Sequence, residues 1–277
     1  MSSTDKPYDV LNHFRRVRFQ PGEIARVRQL LDDRGKAMIL PYDQFVEHDS
    51  RHLEAESDAG NPDYIMDLAR TGKYTGAAVH YGLAARFWTK LEGAIPLIVK
   101  INGKTGVPPA DAPFSAHTSF VDDAVRLGAI AVGYTLYYGS PRQDEDMAQL
   151  AAVRKECERC GFPLIIWAYP RGRDIVAKGG IDTSYAIESA TRLAVEMGAT
   201  IVKANIPAAA GDVFFENPSV PVYYKRLEEE LGTLSEGDSL QIRCDRVVRA
   251  GQGVPVLFSG GSTISDEDLL YRAEVCV

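Results

Sequence analysis

Two lysines stand in apolar strand-like runs where a charge is out of place: Lys203 in "ATIVKANIP" (199–207) and Lys100 in "PLIVKING" (96–103). Burying an ammonium group is costly, and burial favours the free amine. A free amine attacks a carbonyl to form an imine, so each lysine is a candidate nucleophile. The plain alternatives are a side chain that reaches solvent, or one paired with a carboxylate such as Asp43. Position and spacing alone do not separate Lys203 from Lys100. The one that is not the nucleophile would serve as a neighbouring cation or a substrate-orienting group.

Other segments carry groups suited to work beside an imine. In "IIWAYPRG" (165–172) the period-two alternation of a strand sends Trp167 and Tyr169 to one side. A phenol there can act as acid and base; the structural alternative is an aromatic pair filling a core. Arg171, two residues on, either clamps a phosphate or solvates a loop. Asp43 in "LPYDQFVEH" (40–48) either binds substrate hydroxyls and relays a proton or caps the next helix. "FSGGS" (258–262) places Ser259, Gly260 and Gly261 where backbone N–H groups could hold phosphate. Glu47, His48 and His52 form a weak metal signature without an evident third strong ligand, so no metal is expected. Cys157 and Cys160 have Cys-x-x-Cys spacing but lie in a charged, helix-like stretch, and are read as reduced cysteines on a helix.

The elements that must position these groups follow a clear rhythm. Apolar runs begin at Ala37, Tyr74, Pro96, Ala129, Pro163, Thr200 and Val254, and each ends in small or polar residues. Their near-continuous hydrophobicity suits parallel strands covered on both faces. Amphipathic stretches such as "SFVDDAVRLG", with Ser119 as the expected N-cap, and "SYAIESATRLAVEMG" alternate with them. Alternation of this kind predicts a parallel α/β fold, and no Gly-x-Gly-x-x-Gly follows the first strand. The expectation is a (β/α)8 TIM barrel, a single domain over 1–277 with a helical leader at 1–35 and an extended connection at 208–253. The chain ends inside the helix after the seventh strand, so it reads as cut short of an eighth strand and helix. In a barrel the strand C-terminal ends carry the chemistry. Here they supply Asp43, His80, Lys100, Tyr137, Trp167, Tyr169, Arg171, Lys203 and Ser259.

Composition narrows the partners. A net charge of -7 and a pI near 5.3 argue against nucleic acid or an anionic membrane. The polar start "MSSTDKPYDV" lacks a secretion-signal core, so a cytoplasmic protein is expected.

Taken together, "LPYDQFVEH", "IVKIN", "AVGYTLYYGS", "IIWAYPRG", "IVKANIP" and "FSGG", in this order over Ala37 to Gly261, resemble the archaeal-type class I fructose-1,6-bisphosphate aldolases. The resemblance implies Schiff-base cleavage of fructose 1,6-bisphosphate without metal or other cofactor. It implies Lys203 as the imine-forming lysine, which resolves the tie with Lys100, and Tyr169 as the proton-transfer residue. Asp43 then lies near the substrate hydroxyls, Trp167 lines the site, and Ser259, Gly260 and Gly261 form part of the phosphate loop. Lys100 and Arg171 are kept as substrate-binding candidates. The family's strand-eight Gly-Arg phosphate motif has no counterpart, and a homo-oligomer is expected by resemblance only. The rival readings are a related Schiff-base barrel acting on another phosphorylated ketose (an amino-dideoxyheptulosonate synthase or a thiolase-like enzyme) and a non-catalytic sugar-phosphate-binding barrel.

Overall fold

The computed structural model describes residues 13, 19–47, 50, 53, 58–88, 94–259 and 265–276. The strands are β1 (Ile39–Tyr42), β2 (Gly76–His80), β3 (Leu97–Lys100), β4 (Asn102–Gly103), β5 (Ala116–His117), β6 (Ala131–Tyr138), β7 (Leu164–Pro170), β8 (Ile201–Asn205) and β9 (Val256–Ser259). Seven of them form one sheet in the order β1-β2-β3-β6-β7-β8-β9, while β4 and β5 make a small antiparallel ribbon. Sequential order with helical crossovers is the (β/α)8 barrel pattern, with seven of its strands among the described residues. β2, β3 and β7 are buried along their whole length, which is why their sequences are apolar runs rather than alternating ones.

The described chain divides into two compact units: Met1–Pro108, Ser115–Tyr134 and Ala151–Ile165 in the first, Pro109–Phe114, Thr135–Leu150 and Ile166–Val277 in the second. In the first, β1, β2 and β3 run parallel, with Tyr42 opposite Val79 and His80 opposite Lys100. The leader contributes the helix Pro21–Val27 and a short turn to Leu30, and Val27 and Leu30 are fully buried. A side chain added at Gly76, which opens β2, would strike the Leu30 side chain, so the leader packs at the N-terminal end of that strand. The helix Val121–Arg126 does not use Ser119 as its cap. The Phe120 N–H donates instead to the Asp123 carboxylate at 2.9 Å, and the Ser119 hydroxyl is buried without a partner.

In the second unit, the helices Ser184–Glu196 and Glu236–Ala250 cover β8 and β9. Ile187, Ala204 and Val247 form the buried centre, with Val256 and Phe258 packed against it. Thr183 and Ser235 cap these helices through the N–H groups of Ala186 and Asp238. The 208–253 connection therefore holds more than the one charged helix expected there. It contains helices Asp212–Glu216, Val222–Leu231 and Glu236–Ala250, the last two tied by an enclosed Arg243–Glu228 pair at 2.7 Å. The helix Asp266–Cys276 follows β9. No helix among the described residues is long and apolar enough to cross a membrane.

Candidate active site

Lys203 lies in the middle of β8 and is half-buried rather than enclosed, as its apolar neighbours had suggested. Its Nζ donates a hydrogen bond to the Tyr169 hydroxyl. The same nitrogen is 5.0 Å from the Tyr169 ring centre and 5.5 Å from that of Trp167. The alternation expected along "IIWAYPRG" therefore brings both rings to one amine. The Arg171 guanidinium lies 5.3 Å over the other neighbour's ring, that of Tyr169, and donates to the Pro170 carbonyl at 2.8 Å. Gly172, with φ of 104°, follows it; a side chain there would meet the backbone of Gly139 and Ser140. The turn that carries Arg171 is thus fixed by backbone against backbone, with the Arg171 N–H bonded to the Tyr138 carbonyl at 3.0 Å.

Two residues past Lys203, Asn205 donates to Asp182 at 3.2 Å and is nearly enclosed. Ser259, at the end of β9, is half-buried, and its hydroxyl donates to the Ala204 carbonyl at 3.4 Å. Gly260 and Gly261, the rest of the expected phosphate loop, lie outside the described residues.

The strand ends of the first unit hold a second polar group. Lys100 is 0% exposed, and its ammonium pairs with Glu47, whose side chain is 2% exposed. It also donates to the Asn102 carbonyl at 2.8 Å and to the Asn102 Oδ1 at 3.2 Å. An ammonium with three donors placed on three oxygens has no lone pair to offer a carbonyl. Lys100 is enclosed among these oxygens. Lys203, by contrast, keeps part of its surface open. Asp43, which follows β1, is 6% exposed. His80, opposite Lys100, is 8% exposed, and burial together with the Lys100 charge lowers its pKa to about 3. It is a neutral imidazole at any ordinary pH. Tyr137 is buried, and its N–H donates to Asp146 at 3.0 Å. Of the weak metal signature, His48 and His52 lie outside the described residues, while Glu47 is taken up by Lys100. Cys157 and Cys160 sit on the helix Gln143–Cys160 and are free, and burial pushes the Cys157 thiol far above its ordinary value.

The family model of DeoC/LacD aldolases matches residues 37–276. The chain belongs to the DeoC/LacD aldolase family. Within it, the chain is 36% identical over 170 residues to the class 1 fructose-bisphosphate aldolase of Thermoproteus tenax, covering 61% of this chain and 62% of that protein. It is 32% identical over 193 residues to the fructose-bisphosphate aldolase/6-deoxy-5-ketofructose 1-phosphate synthase of Methanocaldococcus jannaschii, covering 66% and 61%. The chain thus spans a little over three-fifths of the length of these curated relatives. Among solved structures, it is similar to an archaeal fructose-1,6-bisphosphate aldolase whose catalytic lysine is covalently bound to the carbinolamine intermediate. The identity is 29%, the TM-score 0.71, and the similarity covers 91% of this chain and 85% of that one.

In this aldolase-family chain the partners are less legible in the sequence than the groups they hold. Glu47 reads only as part of the weak metal signature, and the local sequence gives Asn102 and Asp182 no signal of their own. Asn205 had a usable signal: it sits two residues past Lys203 on the same strand, so the two side chains share a face.

Proposed function

We propose that this chain is a class I aldolase that reversibly cleaves fructose 1,6-bisphosphate to dihydroxyacetone phosphate and glyceraldehyde 3-phosphate. The observation that carries the reading is the half-buried Lys203 amine bonded to the Tyr169 hydroxyl, in a family with a relative caught as a lysine carbinolamine. The Lys203 amine adds to C2 of the open-chain ketose to give a carbinolamine, and loss of water leaves an iminium ion. The C3–C4 bond then breaks: a base takes the 4-hydroxyl proton, C4 becomes the aldehyde, and the bonding pair moves to the iminium nitrogen as an enamine. Glyceraldehyde 3-phosphate departs. Tyr169 protonates C3 of the enamine, and water hydrolyses the iminium to free dihydroxyacetone phosphate and the lysine.

Asp43 is assigned to the substrate hydroxyls, Trp167 to the wall beside the imine, and Arg171, Ser259, Gly260 and Gly261 to the phosphates. The iminium serves as the electron sink, so the mechanism calls for no metal. The same proposal makes the protein a cytoplasmic homo-oligomer of glycolysis and gluconeogenesis. A second reading, another phosphorylated ketose at the same lysine, is favoured by the double name of the Methanocaldococcus relative.

Borohydride trapping with dihydroxyacetone phosphate tests the chemistry. A stable adduct at Lys203, absent in Lys203→Ala, is the expected result; a folded protein that gives no adduct refutes it. Cleavage rates on a panel of phosphorylated ketoses then decide between the two substrates.

A further inference from the structure

The Lys100–Glu47 pair takes no part in the steps above, yet both of its side chains are enclosed, at 0% and 2% exposure. Its place in the fold gives it a task. Glu47 ends the helix Gln44–Glu47, a single turn that starts directly after Asp43. One turn of helix does not hold itself together in water. Here it is closed by the Glu47 N–H on the Asp43 carbonyl at 3.2 Å, and its start is fastened by the Gln44 amide on the Pro41 carbonyl at 2.9 Å. What secures its far end is the Glu47 side chain, held by Lys100. Lys100 in turn stands on β3, which is hydrogen-bonded to β2 on one side and β6 on the other. Its amine is braced by both oxygens of Asn102, whose own amide donates to the Ser115 carbonyl at 3.1 Å. The chain of contacts runs from an inner strand, through one ion pair, to the turn that begins at Asp43.

We propose that Lys100 is a positioning residue: its ammonium, through Glu47, fixes the turn that sets the Asp43 carboxylate. The proposal rests on the aldolase reading and on the role given there to Asp43. Asp43, His80 and Lys100 follow one another at the ends of three adjacent strands, and His80 is held neutral between the other two.

The test uses the full chain. Lys100→Met alone strands a buried carboxylate, so the main variant is Lys100→Met with Glu47→Leu, which replaces both charges by apolar groups. Glu47→Gln, which keeps size and a hydrogen bond, is the second variant and decides the matter if the first does not fold. Each folded variant should trap dihydroxyacetone phosphate on Lys203 as the parent does. Cleavage kcat of the double variant should fall on the order of 10²-fold, the cost of misplacing a reacting group by about 1 Å. In an Asp43→Asn background the same changes should cost less than about threefold more, because both act on one carboxylate. Cleavage at the parent rate, or a full multiplicative loss on top of Asp43→Asn, overturns the proposal. A parent protein that gives no Lys203 adduct overturns the aldolase reading itself, a separately visible result.

Discussion

Ile98-Val99-Lys100 and Ile201-Val202-Lys203 are the same tripeptide on two parallel strands, and the molecule treats them in opposite ways. Lys100 has no exposed surface and meets the Glu47 carboxylate and both oxygens of Asn102. Lys203 is half-buried, meets a phenol and two aromatic faces, and has no carboxylate at ion-pair distance among the described residues. The strand therefore does not decide what its lysine does. The decision is made by what a different element brings to the amine: Glu47 from a turn after β1 in one case, Tyr169 from β7 in the other. One amine is compensated by a carboxylate, and the other is bonded to a phenol.

Exchanging the two lysines' losses breaks the comparison most directly. Lys203→Ala should lower cleavage by about 10⁴-fold or more, since it deletes the nucleophile. Chemical denaturation should show its stability within about 1 kcal/mol of the parent, as for other partly exposed sites. Tyr169→Phe should retain the borohydride adduct while kcat falls by about 10²–10⁴-fold, the range for a lost proton-transfer group. Parent-like turnover in that variant would reduce the phenol to a packing residue. Lys100→Met reverses the pattern: urea denaturation should show a loss of about 3–5 kcal/mol from the stranded Glu47, and the paired replacement with Glu47→Leu should recover most of it.

The smallest effect concerns the imidazole beside Lys100. His80 has a folded pKa of about 3 against an ordinary value near 6.5, so the unfolded chain binds the extra proton between those values. Its contribution is present above pH 6.5 and is lost as the pH falls. Between pH 6.5 and 5 the parent should lose about 2 kcal/mol more than His80→Gln, at about 1.4 kcal/mol per pH unit. Parallel stability curves for the two proteins would show that the ring is solvated.

Much of the fold was legible because parallel strands covered on both faces must be written as apolar runs, and seven such runs mark seven strands. The Trp167–Tyr169 pair was legible for a related reason, the two-residue period of a strand. The helix Glu236–Ala250 was not legible: its buried residues Leu240, Cys244 and Val247 are set among charged ones that hide the pattern. The Lys100–Glu47 pair was not readable. Its members are 53 residues apart, and nothing in either local sequence names the other. Enclosure of a side chain is likewise a property of the assembled unit, which is why Lys203 looked buried in its own segment and is only half so.

Arg171 is bracketed by a ring-locked residue on one side and, on the other, by Gly172, whose backbone lies where no β-carbon fits. A variant library that tests the phosphate role proposed for Arg171 should therefore randomise residue 171 and leave both flanking codons untouched. Variation at the flanks would move the whole loop and confound every change in selectivity with a change in geometry.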